Sequence, residues 1–110
     1  MRISKNIRYV MIYDLKGNNI LKHKMDGVVD LLTESENKIA LRHTIESWNF
    51  RNSISEKIGN TNYILQVYDN LIRAIFPFGS EMLLIVTLDN ASNPNNIVKR
   101  IQTILSGNSM

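Results

Sequence analysis

The sequence predicts an α+β fold: a five-stranded, mainly antiparallel sheet in the order β-β-α-β-β-β-α, packed as a two-layer sandwich. Three observations predict it. Residues 63–88 (YILQVYDNLIRAIFPFGSEMLLIVTL) form three apolar runs separated by two short turns. Residues 7–24 form two further runs around a Gly- and Asn-containing turn. Two segments with helical start signals, 33–58 and 93–105, complete the order.

The elements follow in chain order. Residues 1–6 are a polar lead-in. Residues 7–13 (IRYVMIY) are apolar except for Arg8, so an interior strand is expected. Asp14-Leu15-Lys16-Gly17-Asn18 turns the chain, with Gly17 or Asn18 in the left-handed conformation. Residues 19–24 return as a shorter strand, expected at an edge. Residues 25–32 have no clear period and read as loop.

Thr33-Glu34-Ser35-Glu36 fits a capping box, which starts a long helix reaching about Ile58, with Gly59 as its stop. That segment carries two apolar stripes. Leu41, Ile45 and Trp48 make one; Phe50, Ile54 and Ile58 make the other. At about 100° per residue they lie well over 90° apart, so one helix face cannot hold both. Either the helix breaks near residues 47–49, or it touches its own sheet on one side and a second chain on the other.

Residues 63–68 are the next strand, interrupted only by Gln66. Asp69-Asn70 suits a two-residue hairpin with positive φ. Residues 71–76 place Leu71, Arg73 and Ile75 on one face, and Pro77 should end regular pairing. After a turn at 78–81, residues 82–88 are apolar on both faces except Thr87, as in a central strand. Residues 89–92 read as loop. Asn93-Pro94 starts a final helix whose stripe is Ile97, Val98, Ile101, Ile104 and Leu105; Gly107 ends it and 108–110 fray.

Composition narrows the function classes. A chain of 110 residues is expected to be a single domain, with its core between residues 7 and 105. The absence of cysteine removes disulfide and thiolate chemistry. No apolar run approaches the ~20 residues of a membrane span, and no secretory core opens the chain, so a soluble cytoplasmic protein is expected. Net charge is +3, unevenly spread: six Lys/Arg face one acidic residue up to Lys24. Arg8, Lys22 and Lys24 are therefore candidate contacts for an anionic partner. The plainer account is a solvated strand kept from edge pairing by lysine.

The sequence carries no catalytic pattern. His23 and His43 stand apart, the glycines form no phosphate loop, and Glu34 and Glu36 are explained as partners of a helix start. The expectation is a non-enzyme with neither metal nor cofactor. Trp48 is a candidate interface anchor, with core packing as the alternative. Arg73, in the middle of the meander, suits an exposed sheet face, a salt bridge to Glu81 or a binding role.

The segments IRYVMIYDLKGNNI, SEKIGNTNYI and YDNLIRAIFPFGSEMLLIVTLD, followed by a capped C-terminal helix, resemble the roadblock light-chain fold. More loosely they resemble the longin and profilin-like folds, and most of all small archaeal proteins of roadblock-like appearance. Residues 1–6 are not expected to form the helix that many roadblock domains place before the first strand. The resemblance implies a homodimer, or a heterodimer of similar domains. The long helix, 33–58, would pack on its mate, and strand 63–68 would pair across the axis. Candidate interface residues are Trp48, Phe50, Ile54, Tyr63, Leu65 and Val67. Roadblock and longin domains commonly serve as scaffolds or regulators of small GTPases, motors or trafficking complexes. Two other readings stand beside this one: a nucleic-acid binder using the basic first hairpin with Tyr9 and Tyr13, and a small-ligand sensor with a pocket between sheet and helices.

Overall fold

A computed structural model describes residues 7–89 and 94–107. The elements are β1 (Ile7–Asp14), β2 (Asn19–Lys24), α1 (Glu34–Ser53), α2 (Ser55–Ile58), β3 (Ile64–Val67), β4 (Ile72–Phe78), β5 (Met82–Leu88) and α3 (Pro94–Gly107). One five-stranded sheet runs β2-β1-β5-β4-β3, with every neighbouring pair antiparallel. The five-stranded α+β expectation holds, with β1 and β5 inside the sheet and β2 at an edge, as their composition predicts; β3, although rich in apolar residues, is the other edge. The expected lead-in (1–6), the loop at 90–92, the Asn93 cap and the tail (108–110) lie outside the described residues.

The layer count differs from the expectation. On one sheet face, Ala74, Phe76, Val86 and Leu88 pack with Ile97, Val98 and Ile101 of α3. On the other, Ile75, Leu83 and Ile85 pack with Ile45 and Trp48 of α1. The helices therefore take opposite faces and make three layers, not two. The cause lies in β4 and β5. Their side chains alternate between faces, both sets are apolar, and both need cover.

Local chemistry sets the helix starts and stops. Thr33 Oγ1 accepts from the Glu36 amide at 3.1 Å, and Glu36 Oε1 accepts from the Thr33 amide at 2.9 Å, so the capping box forms. The helix then breaks at Ile54 (φ −111°, ψ 8°), later than residues 47–49. Around the break the Ser55 hydroxyl donates to the Asn52 carbonyl at 2.9 Å, and Ser53 donates to Phe50. Such bonds offer the backbone an alternative to the helical ladder. Gly59, at φ +90°, ends the short second piece.

Turns account for the remaining differences. In the first hairpin, Asp14 Oδ1 accepts from the amides of Lys16 and Asn18, each at 2.9 Å, and Gly17 alone takes positive φ (+94°). The Asn18 side-chain amide, donating to Asp14 Oδ2 at 2.9 Å, does most to hold this carboxyl below its ordinary value, and the two backbone amides add to it. Asp69-Asn70 does turn the chain between residues still joined, the Tyr68 amide donating to the Leu71 carbonyl at 2.8 Å, but neither turn residue takes the positive φ expected of the twist-matched type. Pro77 does not end β4. It pairs with Leu83 inside the strand. β3 stops opposite Ile75, so the outer side of β4 has no strand beyond it, and a missing amide is tolerated there.

Candidate interaction surface

α1 crosses the sheet with Leu41, Ile45 and Trp48 turned inward. Trp48 is only 5% exposed and packs with Ile75 and Leu83. It is a core residue, so its place among the interface candidates is withdrawn. A tryptophan at the end of an inward stripe buries its area in the nearest apolar layer, here the chain's own sheet.

The second stripe stays outside. Phe50 is 63% exposed and Ile58 73%, while Ile54 sits half-buried at the helix break. The five residues after Ile58 lead into β3, the outer strand of the sheet. Tyr63, Val67 and Tyr68 are exposed, with Val67 at 66%. Leu65 is half-buried against the α3-side core, so it serves that core more than any surface. Tyr63 tilts over Phe76 with ring centroids 6.2 Å apart. Residues 58–68 contain no charged side chain. An open strand edge and exposed apolar side chains thus lie in one uncharged stretch. Ile58 and Tyr68 belong with the candidates. The first was visible in the stripe, and the second closes the apolar run 63–68.

Behind this edge lies a polar row. Gln66, Arg73, Thr87, Tyr9 and Lys24 are successive register partners across all five strands. Arg73 Nη1 donates to Thr44 Oγ1 of α1 at 3.2 Å and to Gln66 Oε1 of β3 at 3.3 Å. The guanidinium therefore ties helix, inner strand and edge strand together, and no salt bridge to Glu81 forms. Burial pushes Arg73 below its usual value, opposed by the Tyr68 and Tyr13 phenols. Beside it Thr87 Oγ1 is buried without a partner among the described residues.

The three basic candidates separate. Arg8 is spent internally: Nη1 pairs with Asp89 at 3.3 Å and Nη2 donates to the Val29 carbonyl, leaving the side chain 16% exposed. Lys22 lies 5.6 Å from the Tyr9 ring centroid, and Lys24 makes an exposed pair with Asp30 at 3.4 Å. Both lysines remain on the surface of β2. Among the described residues no group of three or more His, Asp or Glu side chains is placed to hold a metal ion. No described helix is long and apolar enough to cross a membrane.

Solved structures share this arrangement. Myxococcus xanthus MglB superposes with a TM-score of 0.71 at 16% identity, over 96% of this chain and 84% of that one. The fold is that of roadblock/LC7 domains. The roadblock/LC7 domain from Streptomyces avermitilis superposes with a TM-score of 0.69 at 10% identity, over 93% of this chain and 82% of its own. A structure described as MglB with tetrameric arrangement matches with a TM-score of 0.71 at 12% identity, over 90% and 74%. At these identities the likeness is one of fold. No protein-family model and no curated protein sequence matches the chain.

Proposed function

We propose that this protein is a non-enzymatic interaction module that pairs with a second copy of itself, or with a similar domain. The pairing uses the β3 edge together with Phe50, Ile54 and Ile58. One observation carries this reading: exposed Phe50 and Ile58 lead into the uncharged stretch 58–68, whose strand has no neighbour beyond it among the described residues. Backbone groups at an edge are satisfied by another strand, and the stripe loses contact with water in the same step. The tetrameric arrangement of an MglB of the same fold supports association as a use of this architecture. As a finer reading, the pair acts as a platform for a larger complex, with regulation of a small GTPase as the role roadblock-like folds suggest.

Size-exclusion chromatography with light scattering tests the pairing. The expected result is a dimer mass at micromolar concentration, shifted to monomer in Val67→Lys. A wild-type monomer at high micromolar concentration, with no similar domain recovered from the native host, contradicts it. The nucleic-acid reading rests on the basic hairpin. It loses Arg8 to internal pairing and keeps only Lys22 and Lys24 of its candidates.

A further inference from the structure

The opposite edge of the sheet carries different chemistry. All six residues of β2 are exposed, and among the described residues only β1 pairs with it. Residues 15–25 include Lys16, Lys22 and Lys24 and no acidic residue. Lysine alone on an edge protects it from unwanted pairing. Protection does not explain the apolar surface beside it. Ile20 and Leu21 are exposed on the strand, and Val29, Leu31 and Leu32 are exposed in the connection that follows. That connection is held near the end of β2. Arg8 Nη2 donates to the Val29 carbonyl at 2.6 Å, and Lys24 pairs with Asp30.

An edge with no strand beyond it among the described residues, apolar side chains and an excess of positive charge on the strand therefore coincide, with Lys24 partly answered by Asp30 and Lys16 and Lys22 in no ion pair with a described residue. We infer that β2 is a docking edge for an extended acidic polypeptide segment, which adds to the sheet as a sixth strand beside it. Main-chain hydrogen bonds hold such a segment, and alternate side chains select it. Its carboxylates meet Lys22, and Lys24 in exchange for Asp30, on one face, and its apolar side chains cover Leu21 on the other. The Leu21 carbonyl, which accepts from the Asn19 side-chain amide at 3.3 Å, is open to exchange with an incoming donor. A second copy of β2 is excluded, because like charges would face each other across the new pair. A nucleic-acid backbone would answer the lysines but not the apolar side chains.

The test titrates the full chain with a peptide alternating glutamate and valine, long enough to span β2. Fluorescence anisotropy reads binding and amide hydrogen exchange reads location. Saturable binding is expected, weakened on the order of tenfold between low and high salt as the charges are screened. Exchange should slow in β2 and not in β3. Lys22→Glu with Lys24→Glu should abolish binding, and a lysine–valine peptide should restore it. Leu21→Thr, which keeps the charge, should weaken binding with the fold intact by circular dichroism. The inference is overturned by absent binding, by slowed exchange at β3 instead, or by binding unchanged in the charge-reversed variant. Tighter binding of a DNA oligonucleotide than of the peptide would also overturn it.

Discussion

The two edges of this sheet differ in what they exclude. Residues 58–68, which include β3, carry no charged side chain, so a second copy meets no like charge along that stretch. β2 carries Lys22 and Lys24, so a second copy is repelled and only an oppositely charged segment fits. On the proposed pairing, the difference teaches that a few side chains suffice to make one edge of a sheet accept a second copy and the other reject it.

The largest expected effect separates core from surface along α1. Trp48→Ala should cost about 3–5 kcal/mol of stability, as for other large core truncations. Phe50→Ala, two residues on, should leave monomer stability within about 0.5 kcal/mol. Chemical denaturation of both variants at low protein concentration checks this, and equal losses would remove the distinction between the stripes. Next comes the β3 edge. Val67→Lys gives it the character of β2 and should weaken self-association about tenfold or more, read by sedimentation across a dilution series. The reverse exchange, Lys22→Val with Lys24→Val, should create concentration-dependent association through β2.

Arg73 sharpens the comparison, because it braces β3 from behind. Arg73→Ala leaves Thr44 and Gln66 without this donor and should cost about 1–3 kcal/mol. Arg73→Met, which fills similar space, should cost less. Both read out as denaturant midpoints.

The smallest effects lie at the helix start. Thr33→Ala should cost about 1 kcal/mol. The Glu36 carboxyl is lowered by its bonds to the Thr33 amide and hydroxyl. A carboxylate whose folded value lies below its unfolded one contributes stability that is present above the unfolded value. That stability is lost as pH falls through the folded one. Stability should therefore decline on acidification below the ordinary glutamate range, and the part due to Glu36 should vanish in Glu36→Gln. An acid limb unchanged in that variant would show that the box does not contribute.

Most of the fold was legible in the sequence because period and punctuation agree. The run of residues 82–88 reads as a central strand, the capping box marks one helix start, and Gly17-Asn18 marks one turn. The layer count was not legible from strands taken singly. It depends on both faces of β4 and β5 needing cover at once. Pro77 misled because its tolerance depends on where the neighbouring strand stops, which no local pattern states. Of the candidate surface, Phe50, Tyr63 and Val67 are exposed as expected. Trp48 was misplaced because its stripe points at the chain's own sheet. The apolar residues of 28–32 went unnoticed because they have no period to reveal them.

Amide hydrogen exchange of residues 64–67, followed from low to high protein concentration, tests the central claim most directly. If β3 is the self-pairing edge, its outward amides exchange more slowly as concentration rises, while those of β2 do not change. Exchange at β3 independent of concentration, or slowed at β2 instead, would contradict the account.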